Sequence, residues 1–197
     1  MNDIKKVRKK IVVFFGLIAS GKSFVAKAWS GKHLFPYYNT DVVRKVLAAQ
    51  HQRQKRGTDI DQGIYSPVFS RLTYDALLNL SEEALADRVT QCVVLDGSYH
   101  DRGERQRVLD RFADRAQIVF VFCCCDEVTI KTRLAERALD PMAVSDGTWR
   151  VYLHQKEVFE EPDELPVRQL LRLATDQPLS RLLDLLDTAL LPADVNQ

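Results

Sequence analysis

The chain has no long hydrophobic run. Its longest apolar stretches, Ile11–Phe15 and Ile118–Cys125, are far shorter than the roughly 18–20 residues of a membrane-spanning helix, so no membrane partner is expected. Charge of one sign is missing too: 28 Lys and Arg stand against 27 Asp and Glu, which gives no overall attraction to nucleic acid or to an anionic lipid surface. Cysteine is scarce, with three of the four consecutive at 123–125 and Cys92 apart. Without a C-x-x-C pair there is no zinc-type spacing, and consecutive strand residues point to opposite faces. These thiols are expected to be small buried side chains in a reducing compartment. A basic start followed by apolar residues looks like a secretory leader until Gly16 and Lys22 interrupt it, so a cytoplasmic location is expected. No repeat or low-complexity tract is present, and 197 residues with 46% hydrophobic and 28% charged content suit one globular domain over residues 1–197.

What is present is strand alternating with helix. Ile11–Phe15 reads as a strand buried on both faces, with a helix over Ser23–Ser30 after it. A short strand around Leu34–Asn39 leads to a helix near Asp41, and Gln50–Gly63 is polar and aperiodic, hence a loop. Ser66 and Pro67 start a helix whose face continues through Val68, Leu72, Ala76, Leu80 and Ala84. Cys92–Leu95, Ile118–Cys125 and Leu170–Thr175 are further strands. Between them come a helix over Gly103–Ala113 and one that Asp126 can cap, after which Asp140–Gly147 breaks the pattern. The stripe Leu179, Leu182, Leu183, Leu186 and Leu190 is a last helix packed on the sheet. Five strands with intervening helices imply an α/β fold with a mostly parallel sheet covered on both faces.

The first strand runs into Gly16-Leu-Ile-Ala-Ser-Gly21-Lys22-Ser23, the spacing G-x-x-x-x-G-K-[ST] of a phosphate-binding loop. Glycine is needed where the backbone bends and approaches the ligand, so that successive amides point at phosphate oxygens. Gly16, Leu17, Ile18, Ala19, Ser20, Gly21, Lys22, Ser23 and the adjoining Phe24 are therefore the expected ATP-binding residues. Lys22 would reach the β and γ phosphates and Ser23 would ligate Mg²⁺, with the following helix directing its positive end at the anion. No N-K-x-D guanine-reading motif occurs, which argues against a GTPase and leaves a small phosphotransferase favoured.

Six further positions complete the reading. Asp96 ends the strand Cys92–Leu95, where a carboxylate meets Mg²⁺ or its waters. Asp41 and Arg44 are i,i+3 on a starting helix and share a face, so Asp41 can take the proton of an attacking hydroxyl while Arg44 holds an anionic group of the acceptor. Arg133 and Arg137, i,i+4 before the Pro/Gly break, can bring a cation to the transferring phosphoryl group from a lid. His100 lies in the loop after Asp96 as a candidate substrate contact.

The segments GLIASGKS, NTDVVRKVL, IYSPVFSRLTY, CVVLDGSYHDRGERQ and RLAERALDPMAVSDGTWRVYLHQKEVFEEPDEL together resemble the P-loop kinases often described simply as AAA-family ATPases. That group is similar to polynucleotide 5′-kinase, gluconate kinase and zeta toxin. The resemblance covers nearly the whole chain and implies a three-layer P-loop NTPase fold with a five-stranded parallel sheet and a helical lid near 133–150. It also implies that Asp41 is the general base, Arg44 the acceptor-binding arginine of a D-x-x-R motif, and Arg133 and Arg137 the lid arginines. Three readings stay open. The favoured one is transfer of the γ-phosphoryl of ATP to a small-molecule hydroxyl. The second is a polynucleotide 5′-hydroxyl kinase gripping its strand with Lys5, Lys6, Arg8, Lys9, Lys10, Arg53, Lys55 and Arg56, and the third a non-catalytic ATP-dependent regulator or toxin-like module. No protein partner is readable.

Overall fold

The computed structural model describes residues 8–54, 64, 66–139 and 148–191. Five strands form one parallel sheet: β1 (Lys10–Phe15), β2 (Tyr37–Asn39), β3 (Cys92–Asp96), β4 (Gln117–Cys124) and β5 (Leu170–Ala174), in the order β2-β3-β1-β4-β5. Parallel neighbours need crossovers, which run through α1 (Lys22–His33), α2 (Thr40–Gln54), α3 (Pro67–Ala86), α4 (Arg102–Phe112), α5 (Glu127–Ala138) and α6 (Trp149–Val158), while α7 (Leu179–Leu190) ends the described chain.

The period of two along β1 explains the three layers. Ile11, Val13 and Phe15 face a core with Leu77 of α3 and Val108 and Phe112 of α4, whereas Val12 and Phe14 face Val25 and Trp29 of α1 and Leu182 and Leu186 of α7. Each of these side chains is at most 1% exposed, and burying one stabilises by about 1.5–3 kcal/mol. From the central strand β1 the connection leads to β2 at one edge, and from β3 it leads to β4 on the other side. The chain thus reverses direction between β1 and β3 and opens a crevice beyond their carboxyl ends, the usual ligand position in such sheets.

Four of the expected strands, the leucine stripe of α7 and the helix starts appear as read: the Ser66 hydroxyl accepts from Phe69 N at 3.2 Å and the Asp126 carboxylate from Thr129 N at 2.6 Å. The strand expected around Leu34–Asn39 is shorter, Tyr37–Asn39, because Leu34 ends α1 in a left-handed conformation. Three other expectations change. The loop expected from Gln50 begins later, since α2 continues to Gln54; glutamine and arginine favour helix without any apolar period. The face of α3 turned to the sheet is Thr73, Tyr74, Leu77, Leu78 and Ser81, while Val68 and Leu72 are exposed and Ala76 and Leu80 line a groove against α2. Counting apolar residues missed Thr73 and Ser81, whose hydroxyls are satisfied inside the helix by the carbonyls of Phe69 and Leu77 and can therefore be buried. Finally, α6 was not anticipated.

Cys92 and Cys123 are buried, Cys124 and Cys125 half-buried, and all four thiols are free; burial pushes the Cys92 thiol up to about 12. No helix among the described residues is long and apolar enough to cross a membrane. Residues Lys5 and Lys6, the stretch 55–63 and the pattern break at 140–147 lie outside the described residues.

Candidate active site

The loop between β1 and α1 has the backbone its glycines predict. Gly16 has φ 137° and Gly21 φ 81°, and a Cβ on Gly16 would stand 2.4 Å from the Cys123 carbonyl oxygen. The loop is tied to the strand ends around it: Gly16 N donates to Ser98 O at 3.2 Å, and the Thr175 hydroxyl donates to Ser20 O at 2.6 Å. Lys22 opens α1, its ammonium 3.3 Å from Leu17 O, and Phe24 in the same turn is 65% exposed. The N-terminus of the twelve-residue α1 opens at Lys22 and Ser23, at the end of the loop, and a helix N-terminus suits an anion.

Asp96, at the end of β3, is wholly buried. One carboxylate oxygen accepts from the Tyr37 hydroxyl and from Asn39 Nδ2, each at 2.6 Å, and the other has no hydrogen-bond partner among the described residues. Burial, and then the neighbouring Asp96 charge, raise the Tyr37 hydroxyl well above its ordinary pKa, so it remains a donor. An orphaned buried carboxylate oxygen costs free energy unless something supplies positive charge or a proton. A hard divalent cation such as Mg²⁺ fits that need, with oxygen donors from Asp96 and Ser23.

Asn39 does a second job that sequence reading missed: its Oδ1 accepts from the backbone N–H of Asp41 and Val42 at 3.0 and 3.1 Å. One side chain therefore joins Asp96 to the first turn of α2, which carries Asp41. The signal was legible, since Asn before Thr-Asp is a helix-capping pattern. Arg44, one turn on, is 8% exposed, and its Nη1 donates to Ile64 O at 2.6 Å and Ser70 Oγ at 3.2 Å.

Two adjoining clefts meet over Ile18, Lys22, Ser23, Asn39 and Asp41. One, about 280 Å³, is completed by Phe24, Tyr37 and Arg137; the other, about 450 Å³, by Arg44, Ser70, Ser98, His100 and a wall of α6 carrying Val151, His154, Gln155 and Val158. The His100 ring is 3.2 Å from Ser98 Oγ, itself 3.3 Å from the Tyr74 hydroxyl. Burial lowers the pKa of His100, against the opposing pull of Asp101 and Glu160.

The two arginines of α5 expected to act from a lid part company. Arg137 lines the smaller cleft beside Lys22 and Asp41. Arg133 instead grips the back of the loop, donating to Ala19 O at 3.2 Å, Thr175 Oγ1 at 3.1 Å and Thr175 O at 2.7 Å. Both arginines border a third cleft of about 480 Å³ with Phe24 and Gln177.

The wall from α6 is seated by a small apolar cluster of Ile18, Ala19, Ile130, Leu134 and Tyr152, with Trp149 packed against it. Sequence signals for it were Thr148, which caps Val151 N at 3.4 Å, and the i,i+3 aromatic pair Trp149 and Tyr152, stacked 4.7 Å apart.

Solved structures share this fold at low identity. A gluconokinase from Sinorhizobium meliloti is 21% identical with TM-score 0.56, covering 91% of this chain and 90% of that one. A sugar kinase from a Janibacter species is 19% identical with TM-score 0.61, covering 93% and 94%. The APS kinase of Mycobacterium tuberculosis, solved with AMPPNP and APS, is 22% identical with TM-score 0.60, covering 93% and 98%. No curated protein matches the sequence. A family model described as an AAA domain matches residues 11–162, from β1 and the phosphate loop through both clefts to the end of α6, and the chain belongs to that family of P-loop proteins.

Proposed function

We propose that the protein is an ATP-dependent phosphotransferase that moves the γ-phosphoryl group to a hydroxyl of a small molecule. The observation that carries the reading is Asp41, held by its Asn39 cap on the rim common to both clefts, across from Lys22 and Ser23. The fold shared with a gluconokinase, a sugar kinase and an APS kinase supports it.

The triphosphate lies against the Gly21–Ser23 end of the loop, at the N-terminus of α1, with Lys22 along its β and γ oxygens. The base extends past Phe24 toward Gln177 and the two lid-helix arginines. Mg²⁺, held by Ser23 and Asp96, screens phosphate charge when bound. The acceptor occupies the cleft between Arg44, His100 and α6. Asp41 takes the proton of its hydroxyl as the oxygen attacks phosphorus, the bond from phosphorus to the β–γ bridging oxygen breaks, and ADP leaves; Arg137 stabilises the charge on the group in transfer. Most of the acceleration comes from positioning and fixed charge.

A small acceptor is favoured over a polynucleotide end. Arg8, Lys9 and Lys10 are tied by their side chains to the carbonyls of Ala113, of Leu85 and Asp87, and of Leu190. They sit where β1 begins, a strand's length from the loop where it ends. The remaining basic residues of that alternative, Lys5, Lys6, Lys55 and Arg56, lie outside the described residues, as does the side chain of Arg53.

The test is γ-labelled ATP with Mg²⁺ against a metabolite extract and, separately, 5′-hydroxyl oligonucleotides. Label is expected in a small molecule, lost with Lys22→Ala. Asp41→Asn should lower turnover by roughly 10²–10⁴ with nucleotide binding retained. Near-normal turnover in Asp41→Asn would remove Asp41 as the base, and label on the oligonucleotide would overturn the small-acceptor assignment.

A further inference from the structure

Helix α6 does more than close the acceptor cleft. Its Gln155 reaches the phosphate loop itself, where the side-chain Oε1 accepts from the backbone N–H of Ile18 at 2.8 Å. A backbone N–H can only donate, so the carboxamide must turn its oxygen toward Ile18 and its NH₂ away. No described residue takes that NH₂, and Gln155 borders the cleft together with Lys22, Ser23 and Asp41. The head group is thus fixed in orientation by the loop and presents two donors to the space between phosphate loop and base.

The helix under it is held in place. Tyr152, one turn earlier, is 3% exposed in the cluster with Ile18, Ile130 and Leu134, and Lys156, the next residue, bonds Glu127 of α5 at 3.0 Å. A donor on a packed helix costs little ordering entropy when a ligand arrives, and a neutral one adds attraction for phosphate oxygen without a second cation beside Lys22.

We propose that Gln155 is a phosphoryl-contacting residue, whose NH₂, aimed by the Ile18 amide, donates to the terminal phosphate of a bound triphosphate from the acceptor side. The contact rests on the kinase reading for where the γ-phosphoryl lies, but its test needs no acceptor. Because ADP lacks the terminal phosphate, the contact discriminates between the two nucleotides, as a mere prop for the loop would not.

The substitution Gln155→Glu separates the two roles: a carboxylate still accepts from Ile18 N–H but brings no donor and adds negative charge. Gln155→Met loses both groups at similar size. The experiment is calorimetric titration of the full chain and both variants with AMPPNP and with ADP in Mg²⁺, thermal unfolding serving to verify folding. Gln155→Glu is expected to weaken AMPPNP by about tenfold or more and ADP less than about twofold, with Gln155→Met showing a smaller loss of the same selectivity. A folded Gln155→Glu protein with the wild-type ratio of AMPPNP to ADP affinity, whether both are unchanged or both weakened equally, would overturn the contact. Wild-type protein that binds neither nucleotide would instead overturn the kinase reading, and the contact with it.

Discussion

The phosphate loop is eight consecutive residues running from the end of one strand into the start of one helix, whereas the wall facing it is gathered from the first turn of α2, the turn after β3 and the cleft-lining face of α6. The loop's geometry is set by local backbone, with glycine at two positions where φ is strongly positive. The facing wall is set by side chains that bridge distant segments: Asn39 to Asp96, Arg44 to Ser70, and Gln155 to Ile18. Damage to the loop should therefore remove nucleotide binding outright, while damage to the wall should leave ADP bound and impair what is done with the terminal phosphate and the acceptor.

The largest effect should come from Gly16→Ala. The new methyl group would meet the Cys123 carbonyl at 2.4 Å on a backbone of φ 137°, and with β4 unable to yield, the loop must leave its conformation. A loss of about 2–4 kcal/mol in stability is expected from strain and overpacking together, along with loss of measurable ADP binding. Denaturant unfolding and ADP titration check both. A Gly16→Ala protein that bound ADP normally would show that the loop is not built on this backbone.

The same contrast explains what the sequence revealed. A glycine-rich loop between an apolar run and a helix is a local pattern, so all its residues could be named, and the alternation of strand and helix led directly to the parallel sheet. Asp41, Asp96 and Arg137 were also legible, because each ends or begins an element at a readable spacing. The capping role of Asn39 was local and readable, but its bond to Asp96, 57 residues away, and that of Gln155 to Ile18, 137 residues away, are encoded by no periodicity. The assignment of Arg133 and Arg137 as a matched pair came from i,i+4 spacing, which gives a shared helix face and says nothing of the backbone carbonyls that Arg133 meets.

A smaller effect is expected at the far end of α1, where the nucleotide side is anchored independently of the loop. Asp187 of α7 accepts from the wholly buried Trp29 at 2.8 Å and pairs with Lys32 at 2.7 Å and His33 at 2.7 Å. Asp187→Ala strands the indole N–H and should cost about 1–3 kcal/mol. Burial acts to raise the pKa of Asp187, but the hydrogen bonds from Lys32, Trp29 and His33 outweigh it and the net shift is downward. A carboxylate with a lowered folded pKa contributes stability above its unfolded value, about 4, and loses it as pH falls through the folded one. The gap between wild type and variant in urea unfolding should therefore be wide at pH 7 and narrower at pH 3. An equal gap at both would remove the charged contacts from the account.

The smallest effect should be a difference in pH response between the two walls. Burial disfavours the charged form of His100, so its folded pKa lies below its ordinary 6.5 and the ring facing the acceptor cleft is neutral at pH 7. The unfolded chain takes up the proton first as pH falls, so this residue withdraws stability from 6.5 downward until the folded ring also protonates. Protonation in the folded state places a new cation on the acceptor wall, beside Ser98 and away from the smaller cleft with Phe24 and Arg137. Once an acceptor is identified, its KM should be flat from pH 8 to 6.5 and change below that, while the Kd for ADP stays level over the same range. His100→Asn, which keeps a polar side chain without a titrating ring, should flatten the KM profile and leave the ADP profile as it was. If KM and ADP affinity moved together in the wild type, or if the Asn variant kept the KM inflection, the titrating group would lie elsewhere and the two walls would not be electrostatically separate.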